Sequence, residues 1–418
     1  MLTIFEMHVA RKKASYVPPV EQDGHRGALS AEGVGASTLG VSLDPGEDNM
    51  MIRLFVALVF GGMLLGGIAG EKQVRAGESS HSEYKVLGPI RHGNLTIFPI
   101  LAGSSHNTQQ FLTLDEGLRS GEVIVSEAGA IRPMIRRRSG PVAPIHDGAQ
   151  VNQLMLVNNS SRPLLLLAGE IVSGGKQDRV IAKDRIVPAE SDPIDLGVFC
   201  VEPGRWVGSS SKFYSSAGMA SAMAAPGVRS KAMADKDQQK VWSEVGKTRT
   251  AMIASIPAQT ETVEVQAMQT NTSYAKLMDN KAVQKQVDSV AAPMESDYRS
   301  LIKQLRDRNA VGVVVAVGDE IIWADMFAST ELLQKYWPKL VRSYAAEAIV
   351  AHSRGKKLGE SAALAFLEQM NGRHESVESE PGLYRHTEIT GEGFKVFELT
   401  SLLRKTGFEL HVAKMAEN

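Results

Sequence analysis

Residues 164 to 167 are four consecutive leucines, and a strand that is apolar at every position has no face to give to water. It must lie between two layers. Gly197 to Val201 carries a similar run of consecutive apolar positions, and Gln153 to Val157 is a third strong strand. Around them, from Tyr84 to Trp206, short strands alternate with turn signals: Tyr84 to Leu87 stops at Gly88-Pro89, and Leu95 to Ile100 follows Gly93-Asn94. Asp115 to Leu118 reads as one helical turn and Glu122 to Val125 as a further strand.

The text changes after Trp206. Ser215 to Ala234 is made almost wholly of small residues and Met and reads as a flexible linker or mobile loop; the alternative is a helix, since Ala and Met are good helix formers, but Gly218 and Pro226-Gly227 interrupt it. Helical spacing follows in Val241, Trp242, Val245 and Met252, then in Tyr274, Leu277 and Met278, then in Tyr298, Leu301, Ile302 and Leu305. Val311 to Val317 runs to Gly318-Asp319 and returns as Ile321 to Ala324, which predicts a hairpin. Leu332, Leu333, Tyr336, Trp337, Leu340, Val341, Tyr344, Ala345, Ala348 and Ile349 stripe one long helix, which Pro338 kinks or divides. A helix from Glu360 to Asn371-Gly372 and three strands near Leu383, Phe394 to Leu399 and Phe408 to Val412 close the chain. The expected class is α+β: a β-rich, sandwich-like N-terminal half over 84–206, a linker at 215–234, a helical and hairpin part over 235–352, and an α+β extension over 353–418.

Composition removes several functions. The 46 basic and 47 acidic residues leave a net charge of -1, so nothing draws the chain in bulk to nucleic acid or an anionic membrane. Cys200 is the single cysteine, which excludes an intrachain disulfide and any cysteine-built metal or iron-sulfur site. The ten histidines include no HxH or HExxH pair, so no metal and no cofactor is expected. At the front, Arg53 precedes an apolar run, Leu54 to Ala69, that is short for a bilayer span, and Val74-Arg75-Ala76 has the small residues of a cleavage site. Residues 50–76 therefore read as a secretory signal peptide and predict a periplasmic or secreted protein. A membrane is involved only if that segment stays uncleaved. Residues 1–49, rich in Gly, Pro and Ser, read as unstructured, or as sequence ahead of the true start.

Chemistry concentrates where the leucine strand ends. Gly169, Glu170, Gly174, Gly175, Lys176, Gln177, Asp178 and Arg179 form a glycine-rich polar turn, whose amides and side chains suit an anion or a phosphate. The spacing is not that of a P-loop, because Gln177 stands where Ser or Thr must reach magnesium. Glu202 and Arg205 end another strand and are expected on the same rim, whereas Trp206 reads as core packing and not as a stacking platform. A plainer reading makes it a turn whose Glu170, Lys176, Asp178 and Arg179 pair with one another across adjoining strands. Arg136-Arg137-Arg138 reads as a solvated strand edge, and Cys200 as a buried structural thiol.

The stretch Leu164 to Trp206, and within it Gly169, Glu170, Gly175, Lys176, Gln177 and Arg179, resembles the ARG and rhodanese-phosphatase-superfamily-associated protein domain. The likeness continues through Val241-Trp242, the hairpin and the Trp337 to Ile349 helix, covering roughly Tyr84 to His352, with a domain expected over 77–352. The resemblance implies association with ADP-ribosylglycohydrolases and phosphatases and carries no established catalytic assignment. The functional expectation is binding of an anionic small molecule or a protein partner at the rim. The alternative is a hydrolase of a nucleotide or ADP-ribose derivative, with Glu170 or Asp178 as general acid or base and Lys176 and Arg179 on phosphate.

Overall fold

The computed structural model describes residues 84–130, 149–214, 222–257, 262–305, 309–351 and 358–417, all within one compact unit, Glu78–Asn418. The signal segment, residues 1–49, Arg136 to Arg138 and the first part of the expected linker, 215–221, lie outside the described residues.

The chain opens with strands β1 (Lys85–Val86), β2 (Ile90–His92), β3 (Leu95–Ala102) and β4 (Leu112–Thr113), helix α1 (Leu114–Ser120) and β5 (Val123–Ser126). Six strands and a two-residue pairing follow: β6 (Gln153–Asn158), β7 (Leu164–Leu166), β8 (Ile171–Gly174), β9 (Arg179–Ile181), β10 (Arg185–Val187), β11 (Ile194–Cys200) and β12 (Phe213–Tyr214). Helix α2 (Pro226–Ser230) passes into a π-helical turn (Lys231–Asp235), and α3 (Gln238–Ser255), α4 (Thr262–Thr270), α5 (Tyr274–Asp279) and α6 (Lys281–Gln304) follow. The hairpin β13 (Asn309–Val317) and β14 (Glu320–Phe327) leads into α7 (Thr330–Val350) and α8 (Glu360–Glu368), and β15 (His374–Glu380), β16 (Tyr384–Thr390), β17 (Phe394–Ser401) and β18 (Glu409–Ala416) end the chain.

The hairpin turns at Gly318, whose φ of 63° suits a residue without a side chain, and it sits at the centre of the largest sheet. That sheet has nine strands in the order β1-β3-β13-β14-β18-β17-β16-β15, with β2 also on β3. Its pairs are antiparallel. One face carries Val313, Val315, Val317, Trp323, Leu399 and Met415 into a core shared with the long helices, and the other carries Phe98, Ile100, Val314, Ala316, Phe394 and Val396 under Ala363 and Leu367 of α8. The central strands β3 and β13 are dry on both faces and so lack polar alternation, whereas β15 at the edge is exposed along most of its length.

A three-stranded sheet (β10-β7-β4) and a six-stranded one (β12-β8-β9-β11-β6-β5) enclose a second core of Leu112, Val125, Leu156, Leu164, Leu166, Ile181 and Val198. The leucine strand meets its expectation: Leu164 and Leu166 face this core, while Leu165 and Leu167 face the first. In β11 burial alternates instead, with Leu196, Val198 and Cys200 inside and Asp195 and Gly197 exposed, so its consecutive apolar letters overstated its burial.

Two boundaries need correction. Residues 222–234 are no linker, for Met223, Ala224, Ala225, Val228, Ala232 and Met233 are buried, and Glu170 forms a β-bridge with Met223. Small side chains here let backbone pack close to backbone. The late strands are no appended extension either: β18 pairs directly with β14 over Trp323 to Phe327. Pro338 lies inside one continuous helix, α7. Among the described residues, no helix is long and apolar enough to cross a membrane.

Candidate functional site

The turn between β8 and β9 is built on two glycines with left-handed backbone. Gly174 (φ 134°) has the Lys212 carbonyl where a Cβ would stand, 2.7 Å away, and Gly175 (φ 49°) has the Phe213 ring at 2.3 Å. Any side chain would push β12 off the turn. The turn does gather Lys176, Gln177, Asp178, Arg179, Glu202 and Arg205, but not as an open rim. Gln177, Asp178, Arg179 and Glu202 are buried, and Lys176 and Arg205 are partly so.

The turn's amides are satisfied from within. Gly174 N–H donates to Asp178 Oδ1 at 3.0 Å, Gly175 N–H to Ser210 Oγ at 3.1 Å, Lys176 N–H to Glu127 Oε1 at 2.9 Å, and Asp178 N–H to Glu202 Oε2 at 3.0 Å. Carboxylates of the chain itself fill the place that an anion cradle would offer. Arg205 completes this web with an ion pair to Glu202 at 2.6 Å and bonds to the Gly175 and Val207 carbonyls, and its guanidinium is held above its ordinary value, first by the Glu202 bond. Burial raises the Asp178 carboxyl against a 2.5 Å bond from Ser273 Oγ, and Glu202 raises it further. Charges do pair within the turn, through Arg205 on Glu202 and Asp178, but not as the plainer reading had it, since Glu170 pairs with Lys339 instead of with Lys176, Asp178 or Arg179.

Arg179 is the exception. It is 0% exposed, its Nη1 reaches only the Asp178 carbonyl at 3.5 Å, and its Nε and Nη2 have no hydrogen-bond partner. Burial pulls its pKa down, while Cys200, Glu127 and Asp178 act against that. Trp206 covers it: the guanidinium carbon lies 5.9 Å from the ring centre, and Lys176 Nζ lies 4.8 Å from the same ring. Expected in the core, Trp206 is instead 42% exposed and is followed by exposed Val207, with Tyr214 also exposed nearby in sequence. Oε2 of Glu127, Oγ of Ser173 and Oε1 of Gln177, around the same turn, also lack partners.

Glu170 does not join this cluster. Its Oε1 contacts Lys339 Nζ of α7, whose ammonium also lies 3.0 Å from Asp115 Oδ2 of α1, and its Oε2 accepts from Leu167 N–H at 2.7 Å. Burial, reinforced by Asp115 and opposed by Lys339, holds Glu170 above the usual carboxylate range. Burial would lower Lys339, but the two carboxylates outweigh it and raise it.

A second charged network is sealed beneath the large sheet. Arg229 of α2 grips Asp325 of β14 through Nη1 to Oδ2 at 2.9 Å and Nη2 to Oδ1 at 3.1 Å, and stacks 4.4 Å from the centre of the Trp323 ring. Tyr344 O–H donates to Asp325 Oδ2. His411 of β18 bridges Asp325 Oδ1, at 3.1 Å, and Asp184 Oδ2, at 2.5 Å, and Ala168 N–H donates to the other oxygen of Asp184 at 2.7 Å. Burial opposes every one of these charges, yet Asp184 and Asp325 raise His411 to about 9, and Arg229 and His411 hold Asp325 well below the usual range. Sequence reading missed this network, whose only local signal is a charged residue inside an apolar run, as with Asp325 in Ile321 to Phe327.

No group of three or more His, Cys, Asp or Glu suited to a metal ion occurs among the described residues. A cavity of about 190 Å³ beside the turn is lined by Asn271, Lys276, Asp279 and Asn280, and a larger one, about 910 Å³, lies between β1 and α8.

These features define an α+β protein with a buried ionic network and a cation–aromatic cluster that reaches the surface at Trp206. The chain belongs to the ARG and Rhodanese-Phosphatase-superfamily-associated Protein domain family, whose model matches residues 83–413. That span takes in β15 to β17 and most of β18, so the family domain runs well past His352. No curated protein and no solved structure matches the chain.

Proposed function

We propose that this is an exported binding protein that takes an anionic small molecule at Trp206, Lys176 and Arg179. Arg179 carries the reading: a guanidinium removed from water with two nitrogens unpartnered is a costly arrangement that an anion would relieve. Lys176 supplies a second cation and Trp206 a partly exposed apolar plate. Because the turn's amides are already bonded, recognition falls to side chains. The hydrolase alternative rests on Asp178 alone, since Glu170 is bound into another cluster.

The test is thermal stabilisation of the purified protein by phosphate, nucleotides and ADP-ribose in turn. A binding anion at one hundred times its Kd adds about 2.7 kcal/mol, and Lys176→Ala and Trp206→Ala should remove most of that while melting near the parent. Arg179→Ala is expected to lose stability as well as binding, because its side chain is buried. Absence of any anion effect, or an equal effect in both surface variants, overturns the site. Export is checked separately by N-terminal sequencing of periplasmic or secreted material, which should begin near Gly77; an intact cytoplasmic chain from Met1 would refute it.

A further inference from the structure

Asp115 of α1, Glu170 in the turn before β8 and Lys339 of α7 are far apart in sequence, and none belongs to the proposed binding site. Lys339 is 2% exposed and Glu170 0%, and Lys339 Nζ lies 4.5 Å from the centre of the Tyr336 ring. The Thr113 capping box starts α1, with Glu116 N–H on Thr113 Oγ1 and Thr113 N–H on Glu116 Oε2, and so fixes Asp115 in the first turn. One turn away along α7, Lys335 pairs with Glu116 at 3.1 Å and holds the two helices in register. An amine, a carboxyl within reach of attack and a second carboxyl touching the amine therefore meet in a dry, rigid place.

We propose that this triad is a self-modification site, at which Lys339 Nζ condenses with Asp115 Cγ to form an isopeptide bond while Glu170 relays the protons. The ammonium of Lys339 first passes a proton to the Glu170 carboxylate in contact with it, freeing the nitrogen lone pair. In water such a transfer is steeply uphill; burial penalises both ions of the pair and so reduces that cost, although the two carboxylates still hold Lys339 above its ordinary value. The nitrogen then attacks Asp115 Cγ, the C–N bond forms, and one C–O bond of the carboxyl breaks. Two of the three ammonium protons reach the departing oxygen by way of Glu170, one water leaves, and Glu170 ends as the carboxylate it began as. No oxidant, reductant or activating group is needed. Fixed contact supplies what dilute groups lack, with effective molarities of about 10⁵ to 10⁸ M for well-oriented neighbours.

The roles of the two carboxyls follow from their surroundings. Glu170 is anchored by Leu167 N–H at 2.7 Å and is wholly enclosed, so water formed from it would have no exit. The Asp115 side chain keeps 11% of its surface open. Water can leave there, and its departure makes the bond persistent.

Intact-mass measurement of the purified, denatured full chain tests this. The parent should weigh one water less than its sequence requires, and trypsin should yield residues 92–119 joined to residues 336–342 with Lys339 uncut. Asp115→Ala, which keeps the Lys339–Glu170 pair, should have its full calculated mass. Glu170→Gln should also show full mass, with a circular dichroism spectrum like the parent's. A parent at full mass with the two peptides separate overturns the proposal without any variant. A link to the peptide carrying Glu170 overturns the choice of Asp115, and complete linkage in Glu170→Gln overturns the relay.

Discussion

His411 has both ring nitrogens against carboxylates, Asp184 and Asp325, and is 0% exposed, so it must stay an imidazolium for the core to balance. Its neighbours are Arg229 from α2, Asp325 from β14, Tyr344 from α7, Asp184 from the loop before β10, and the Phe327 ring at 4.6 Å. Its pKa rises from 6.5 to about 9 on folding. A base whose folded value is raised contributes stability that is complete below about pH 6.5 and is lost as pH climbs through about 9. That contribution is about 3 kcal/mol at its largest, from about 1.4 kcal/mol per pH unit. Urea unfolding at several pH values should show the gap between parent and His411→Gln narrowing from pH 6.5 to 9. A constant gap over that range would mean that His411 is neutral in the fold. Asp184 and Asp325 run oppositely: their lowered values contribute stability above the carboxylate range that fades in acid.

At the scale of elements, α2 and its π-helical turn show how composition can mislead. Ala222 to Ala234 offers little apolar area, yet Arg229 within it is fully buried by its bidentate bond to Asp325, 96 residues away. Gly169, at φ 93°, makes room for that arginine: a Cβ there would stand 2.5 Å from Arg229 Cγ. Native limited proteolysis should therefore spare the Arg229 and Lys231 bonds, and early cleavage there would show that the segment opens easily. Other elements were legible because their signals are local. The hairpin has its glycine turn, the leucine strand its unbroken apolar run, and α7 its stripe. The polar turn was found as a place but misjudged as an open rim, since the acceptors that fill its amides, Glu127, Glu202 and Ser210, come from other parts of the chain. The buried ion pairs were invisible for the same reason: Lys339 meets Asp115 across 224 positions, and no local period encodes such a meeting.

For the whole molecule, the large sheet decides what a minimal folded unit must contain. Its central hairpin is sequence-distant from both flanks: β14 takes its outer partner from β18, and β13 its other partner from β3. A chain ending at His352 would keep the hairpin and α7 but strip β14 of its neighbour, exposing Trp323 and Phe327 along a long unpaired edge. It would also delete His411 and leave Asp184 and Asp325 buried with less positive charge. Removing one partner of a buried ion pair costs about 3 to 5 kcal/mol, a large part of the about 5 to 15 kcal/mol that typically holds a domain. A protein truncated after His352 should thus be insoluble or lack a cooperative thermal transition, whereas one truncated after Ala416, where β18 ends, should melt as the parent does. A soluble, cooperatively melting 84–352 fragment would show that the four late strands are an addition after all, and that the ionic core can close without His411.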